Sequence, residues 1–83
     1  MKAKVNVVSV SIELSVEEAQ SLLALLGRCA GKSDVGKFTI DAYYALHSVL
    51  MNSGIPIVTM VNDNGKSFPT ILLDKVRLEK LDP

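Results

Sequence analysis

The sequence predicts a small α+β domain in which two helices pack on a small, mostly antiparallel sheet in the order β-α-α-β-β-β. Three observations support this fold class. Apolar residues alternate near the start of the chain, two central segments repeat apolar residues at helical spacing, and an Asn-Gly turn divides the apolar segments that follow. Because the chain has only 83 residues, we expect a single domain over residues 1–83.

The first predicted strand covers residues 4–12, where β-branched residues alternate with Asn and Ser. The period changes at Ser15, because Ser15-Val16-Glu17-Glu18 matches a capping box. In this motif the Ser15 hydroxyl accepts from the amide of residue 18, and the Glu18 carboxylate accepts from the amide of Ser15. The first helix is therefore predicted to begin at Val16 and to end between residues 28 and 30.

The second helix is predicted to follow a loop over residues 31–37, with Thr39 as its N-cap. Phe38 and Tyr43 stand at the positions of a hydrophobic staple around this start. The helix is expected to end just before Gly54, which can adopt the left-handed conformation.

The last third of the chain predicts a hairpin. Strands are expected over residues 55–61 and 66–73, and the turn between them, Asn62-Asp63-Asn64-Gly65, contains the Asn-Gly pair that favours tight hairpins. Residues 75–81 alternate and predict a short last strand, although their apolar spacing also permits a helix.

Charge and composition exclude several classes of protein. Nine basic and nine acidic side chains cancel, which argues against a protein that binds duplex nucleic acid. The single cysteine, Cys29, cannot form an intrachain disulfide. The apolar runs are too short to span a bilayer and the start lacks a signal-peptide core, so we expect a cytosolic protein that does not bind membranes.

The apolar content predicts self-association. The mean hydropathy of +0.30 is high for so short a soluble chain, and both predicted helices have apolar faces wider than a sheet of short strands can cover. Either the helices also pack tightly on each other, or one of them continues into a subunit interface. We expect a homo-oligomer, most simply a dimer.

Residues 27–33, Gly-Arg-Cys-Ala-Gly-Lys-Ser, resemble a phosphate-binding P-loop but do not fit one. Three residues instead of four separate the first glycine from Gly-Lys-Ser, and the stretch closes a helix instead of following a strand. A weaker prediction is an anion site in the loop that leads to the predicted helix start. The alternative is a solvated loop whose lysines only aid solubility.

Two tyrosines begin the second helix beside this loop. Tyr43 and Tyr44 point about 100° apart, so one of them could stack on a base while the other packs in the core. A core-plus-interface role for both is the alternative. The candidate ligand-binding residues are therefore Arg28, Lys32, Ser33, Lys37, Thr39, Tyr43 and Tyr44.

Catalytic and metal sites are not predicted. His47 is the only histidine, and a general base needs an orienting partner and a nucleophile, whereas a metal site needs further ligands. We interpret His47 as a hydrogen-bonding residue in a buried or interfacial position and Cys29 as a small core residue. We therefore expect no enzymatic activity, no metal and no cofactor.

The motifs Glu-Glu-Ala, Leu-Leu-Gly, the glycine loop and Ile-Asp-Ala-Tyr-Tyr-Ala-Leu, within residues 11–50, resemble a layout of small phage and prophage proteins. The stretch is similar in particular to the helical part of anti-defence sponge proteins of the anti-Thoeris kind. These proteins bind cyclic or linear nucleotide immune signals at subunit interfaces and sequester them without cleavage. The resemblance covers about half of the chain.

This resemblance implies a function. The chain would be a phage-encoded, non-catalytic protein of the host cytosol that sequesters an anionic nucleotide-derived signal at an oligomer interface. The alternative is a small protein-interaction module that inhibits a host defence enzyme. An exposed apolar patch and a protein partner would mark that alternative.

Overall fold

The computed structural model describes residues 1–6 and 9–81. Its antiparallel strand pair, parallel strand pair and two helices confirm the α+β class. The elements, in chain order, are β1 (Lys2–Val5), β2 (Val10–Glu13), α1 (Val16–Leu26), β3 (Cys29–Ala30), α2 (Asp34–Asn52) and β4 (Ile71–Leu72).

The start of the chain folds back where a single strand over residues 4–12 was predicted. β1 pairs antiparallel with β2, with Lys2 opposite Glu13. The Asn6 amide donates to the Ser9 carbonyl at 2.6 Å, and the Asn6 side chain donates to the Ser11 hydroxyl at 3.2 Å. Asn6 thus bonds to two residues at the start of the second strand, which alternation alone does not reveal. Residues 7 and 8 of the predicted strand lie outside the described residues.

The capping box at the start of α1 is confirmed. The Ser15 hydroxyl accepts from the Glu18 amide at 3.1 Å, and the Glu18 carboxylate accepts from the Ser15 amide at 3.0 Å. The helix ends at Leu26, earlier than predicted, because Gly27 is its C-cap and the chain then extends into β3.

The start of α2 corrects the predicted N-cap. The cap is Ser33, whose hydroxyl accepts from the Gly36 amide at 3.1 Å, and Thr39 lies inside the helix. The buried Thr39 hydroxyl instead donates to the Gly36 carbonyl at 2.7 Å. Ser33 followed by Asp34 is itself a favourable helix start, so the loop is shorter than the predicted residues 31–37. Gly54 follows the helix with a φ of 70°, as predicted.

The two helices contact each other around a small core. Leu23 of α1 is completely buried, and Ala19 and Leu50 complete the central cluster. The partly buried apolar side chains packed around this cluster come from both helices and from the segments beside them: Leu14, Tyr43, Leu46, Ile55 and Ile57.

The segment after α2 contains the predicted turn but less strand than expected. Gly65 has a φ of 75°, and its amide donates to the Asn62 carbonyl at 2.9 Å. Pairing beyond the turn is limited to one bridge between Val61 and Ser67. β4 pairs instead with β3 in parallel, and residues 75–81 form neither the predicted strand nor the alternative helix.

The accessible surface of the chain is larger than that expected for a folded monomer of the same mass. Its accessible surface is 6858 Å², whereas a folded monomer of 9.0 kDa is expected to expose about 4,900 Å². Its radius of gyration is 14.6 Å, against about 12 Å for a compact domain of this length. Much of the chain outside the contact between the two helices is therefore exposed to solvent.

Candidate functional site

The glycine connection, residues 27–33, is held by the last third of the chain. The Ile71 amide donates to the Arg28 carbonyl at 2.6 Å, and the Leu73 amide donates to the Ala30 carbonyl at 2.7 Å. These bonds form the parallel β3–β4 pair, so two carbonyls of the connection have partners within the chain.

Two glycines allow this close packing. A Cβ atom on Gly31, which has a φ of 155°, would lie 2.6 Å from the Leu73 carbonyl carbon. A Cβ atom on the buried Gly36 would lie 2.7 Å from the carbonyl of Gly31. Real Cβ contacts are not this short, so the two glycines let three backbone segments touch. Their role in this structure is packing.

The N-terminus of α2, where an anion site was predicted, is already served by the chain itself. The Asp74 carboxylate accepts from the Lys32 amide at 2.9 Å, immediately before the helix. The Ser33 hydroxyl accepts from the Gly36 amide and donates to the Leu73 carbonyl. A carboxylate and a hydroxyl thus supply the acceptors that a phosphate would have supplied.

The predicted site residues around this terminus differ in burial and in hydrogen bonding. Ser33 and Thr39 use their hydroxyls inside the chain, and Thr39 is buried. Lys32 and Lys37 are exposed, and neither forms an ion pair with another of residues 1–6 and 9–81. Two of the four side chains are thus engaged within the chain, and the two lysines extend into solvent.

Arg28 lies in a different place. Its side chain is partly buried, and Nη2 donates to the Thr59 hydroxyl at 2.9 Å. Within the described part of the chain no carboxylate forms an ion pair with it. Arg28 and Thr59 help to line an open cavity of about 280 Å³, which we call the Arg28 groove; its other lining residues are Leu23, Ala24, Gly27, Tyr43, Ile57 and Val58.

Tyr43 and Gly27 belong to the walls of both the Arg28 groove and a second cavity. The second cavity, about 260 Å³, also contains Tyr44 and Ile40 in its wall. A Cβ atom on Gly27 would lie 3.0 Å from the Tyr43 ring, so this glycine lets the ring pack tightly on the end of α1. The ring and Arg28 line the same groove.

The other aromatic neighbours of Tyr43 extend along α2. Its ring centroid lies 5.6 Å from that of Tyr44 in an edge-on arrangement and 5.6 Å from that of His47. Tyr44 is 66% exposed, whereas Tyr43 packs against the core. The two tyrosines thus divide into one packed and one exposed ring.

Cys29 and His47 are both partly buried. The Cys29 thiol donates to the Leu25 carbonyl at 3.5 Å. Within residues 1–6 and 9–81, no three His, Cys, Asp or Glu side chains come together as a metal site would require. What the groove offers is a guanidinium, a hydroxyl and an aromatic ring, which are groups that bind a ligand.

Sequence analysis missed Thr59 and the wall formed by residues 57–59. Thr59 is 31 positions from Arg28, and no local signal pairs two such residues. Asp74 was also missed, although it is the carboxylate nearest to β4 in the sequence. A search for an acidic residue able to reach the glycine connection could have found it.

In the described ranges, no helix has both the length and the apolar character needed to cross a membrane. Comparison with known proteins gives no family model, curated protein or solved structure that matches this chain.

Proposed function

We propose that this chain is a non-catalytic binding protein that captures an anionic, nucleotide-derived ligand in the Arg28 groove and acts as a homo-oligomer. The observation that carries the proposal is the Arg28 side chain. It lines an open cavity beside the Tyr43 ring and, among the described residues, has no carboxylate partner.

The chemistry of the groove suits a phosphate. A guanidinium has five N–H donors, and the hydrogen bond to Thr59 uses one of them. The remaining donors can form paired hydrogen bonds to two oxygens of one phosphate. Because Arg28 is partly buried, its charge is screened less by water than that of the exposed Lys32 and Lys37.

The position of Tyr43 suits an aromatic base. Base–aromatic stacking contributes about 1–3 kcal/mol and tolerates different bases. The groove is small, since most ligand pockets enclose about 300–1,000 Å³. A ligand larger than a mononucleotide would therefore extend past Tyr43 into the second cavity, where the exposed ring of Tyr44 lies.

The biological setting comes from the resemblance to phage sponge proteins. Sequestration of a signal requires affinity and abundance and no chemical step, so a site made of binding groups is sufficient for it. We place this activity in the cytosol of a phage-infected host, against an immune signal that carries phosphate.

The test is a thermal-shift titration with AMP, ADP-ribose, cyclic ADP-ribose isomers and cyclic oligonucleotides. A ligand at about 100 times its Kd adds about 2.7 kcal/mol of stability, which raises the midpoint of so small a domain by several degrees. We expect a shift with one of these compounds, and the compound should be recovered unchanged.

Two variants locate the site. Arg28→Gln should abolish the shift, whereas Lys37→Gln removes the same charge from an exposed position of α2 and should retain it. Equal losses in the Arg28 and Lys37 variants, or no shift with any compound, would contradict the proposal.

A protein-interaction module that inhibits a host enzyme is the second candidate. It is favoured by the large apolar side chains exposed on α2, among them Phe38 at 65% and Val49 at 60%. This function predicts capture of one host protein from a lysate and no stabilisation by nucleotides. Phe38→Lys should then abolish the capture while Arg28→Gln leaves it intact.

A further inference from the structure

The segment after α2 contains an exposed turn over residues 62–66, which we call the Asn-Gly turn. The Asn62 amide donates to the Lys66 carbonyl at 2.8 Å, which closes the turn. Within it, Gly65 has a φ of 75° and donates its amide proton to the Asn62 carbonyl at 2.9 Å. The pair Asn64-Gly65 therefore lies at the solvent-exposed end of this segment.

This pair places a side-chain amide next to an unhindered backbone nitrogen. The carboxamide carbon of an asparagine can be attacked by the backbone nitrogen of the following residue, and this reaction makes asparagine thermally labile. The residue that follows Asn64 is Gly65, which has no Cβ atom. A Cβ atom built at Gly65 would meet no atom within 4 Å, so the space around the nitrogen is open.

The other three asparagines of the chain lack this combination. Each is followed by a residue that has a Cβ atom, in chain order Val7, Ser53 and Asp63. Asn52 also ends α2, where the amide of the next residue already donates to helix carbonyls. Asn64 is therefore the asparagine whose reaction with its neighbour is least hindered.

The side chain of Asn62 holds the turn closed. Its Oδ1 atom accepts from the Asn64 amide at 2.9 Å and from the Lys66 amide at 3.0 Å. These bonds fix the backbone on both sides of the reacting pair, and the Gly65 proton is bonded to the Asn62 carbonyl. Because Gly65 must lose that proton before its nitrogen attacks, the closed turn opposes the reaction and local opening permits it.

We propose that Asn64 is a site of spontaneous deamidation and that the side chain of Asn62 sets the rate. A base from the solvent takes the Gly65 amide proton, and the nitrogen bonds to Cγ of Asn64. Ammonia, formed from the side-chain NH2 and one proton, leaves, which closes a succinimide ring. Water then opens the ring at either carbonyl. Cleavage of the new N–Cγ bond gives an aspartate, and cleavage of the original peptide bond gives an isoaspartate.

The product differs from the original turn in charge and in length. The formal net charge of the chain is +0, and it becomes negative because a carboxylate replaces a neutral amide. An isoaspartate also inserts an extra carbon into the main chain before Gly65. The bond from the Gly65 amide then no longer has its length of chain, so the adjoining bridge between Val61 and Ser67 should weaken.

This inference goes beyond ligand capture and does not depend on it. None of residues 62–66 lines the Arg28 groove. Deamidation is measured as a change in covalent mass, whereas ligand capture is measured as thermal stabilisation. Failure of one proposal is therefore distinguishable from failure of the other.

Peptide mapping by mass spectrometry tests the position of the reaction. The folded, unmodified chain is incubated at mildly alkaline pH, and each asparagine is followed for the mass gain that accompanies replacement of NH2 by OH. We expect the gain at Asn64 first, with isoaspartate among the products, and little change at Asn6, Asn52 and Asn62 over the same time. No gain at Asn64, or an earlier gain at another asparagine, would overturn the assignment.

Two substitutions test the role of Asn62. Asn62→Ala removes the acceptor for the Asn64 and Lys66 amides and should raise the deamidation rate of Asn64 several-fold. Asn62→Asp keeps an acceptor oxygen and should not raise that rate. In urea, where the turn is absent, Asn62→Ala and the unmodified chain should react at equal rates. If folded Asn62→Ala reacts no faster than the unmodified chain, or is accelerated equally in urea, Asn62 does not set the rate through the turn.

A further comparison applies even if Asn62→Ala fails to fold. Asn64 of the unmodified chain should deamidate more slowly in the folded state than in urea, because only the folded chain has the hydrogen bonds of the turn. Circular dichroism establishes which state is present in each sample. Equal or faster reaction in the folded state would show that the turn does not restrain Gly65.

Discussion

The glycine connection and the N-terminal hairpin both use short paired strands beside a helix start, but they differ in what their own chain supplies. In the connection, backbone amides of residues 71 and 73 pair with β3, and the Asp74 carboxylate accepts from Lys32. In the hairpin, the strands pair with each other and the apolar side chains Val5, Val10 and Ile12 remain exposed. The first region thus has hydrogen-bond partners from a distant segment of the chain, whereas the apolar side chains of the second are exposed.

The difference concerns where binding surfaces arise. The composition of the connection is typical of a phosphate-binding loop, yet its acceptors come from the same chain. The hairpin has the composition of an ordinary strand, yet its apolar side lacks cover. A cation-rich glycine loop is therefore weaker evidence for a ligand than a charged side chain such as Arg28, which lines a cavity and has no ion-pair partner among the described residues.

The largest expected loss of stability comes from adding a side chain where α2 touches the backbone of the glycine connection. Gly36→Ala places a Cβ atom 2.7 Å from the Gly31 backbone. Backbone must move to accept it, so we expect a loss of about 2–3 kcal/mol even after the gain in helix propensity. Chemical denaturation measures the free energy of unfolding.

Gly65→Ala is the matched control for this prediction. Gly65 has a φ of 75° and no atom close to the added Cβ, so only backbone strain of about 1 kcal/mol is expected. Equal losses in the two variants would show that the contact between Gly36 and Gly31 does not matter.

A smaller loss of stability is expected when the Ser33 hydroxyl is removed, since it links the start of α2 to Leu73, just after β4. Ser33→Ala removes the N-cap of α2 and the donor to the Leu73 carbonyl, which should cost about 1–2 kcal/mol. Ser48→Ala, at an exposed position within the same helix, should be neutral or slightly stabilising. If urea denaturation gives the two variants equal stability, the connection is not held through Ser33.

The smallest effect concerns the Glu18 carboxylate at the start of α1 and depends on pH. The hydrogen bond from the Ser15 amide and the nearby Met1 amine hold the pKa of Glu18 below its ordinary value of 4.5. A carboxyl with a lowered pKa in the folded state stabilises the fold above its unfolded pKa. That contribution is lost as the pH falls from about 4.5 through the folded pKa.

Glu18→Gln removes this titration. The variant should be less stable than the parent at neutral pH, and its thermal midpoint should fall less steeply below pH 4.5. Glu17→Gln, one residue earlier and without these contacts, is the control and should follow the parent. If the thermal midpoints of the Glu18 variant and the parent fall equally steeply below pH 4.5, the contacts of Glu18 with the Ser15 amide and the Met1 amine do not stabilise the fold.

Local signals predicted much of the helical part of the fold. The capping box at Ser15 and the turn at Gly65 were predicted because each motif is complete within a few residues. The start of α2 was misplaced because Ser33 and Thr39 both satisfy the N-cap preference. Their hydrogen bonds distinguish them, because the Ser33 hydroxyl accepts from the Gly36 amide and the Thr39 hydroxyl donates to the Gly36 carbonyl.

Long-range contacts explain what the sequence could not predict. Alternation identified an apolar strand near the start of the chain but did not show that β1 and β2 pair antiparallel with each other. Arg28 was predicted as a binding residue because of its charge, but its position beside Thr59 depends on a contact across 31 residues. Asp74 reaches Lys32 across 42 residues, so the carboxylate that accepts from the Lys32 amide could not be predicted from local sequence.

Sedimentation equilibrium of the unmodified chain at micromolar concentration tests the central claim most directly, namely that this chain acts as a homo-oligomer. We predict a mass of at least twice 9.0 kDa. A single species of 9.0 kDa across the concentration range would contradict the claim.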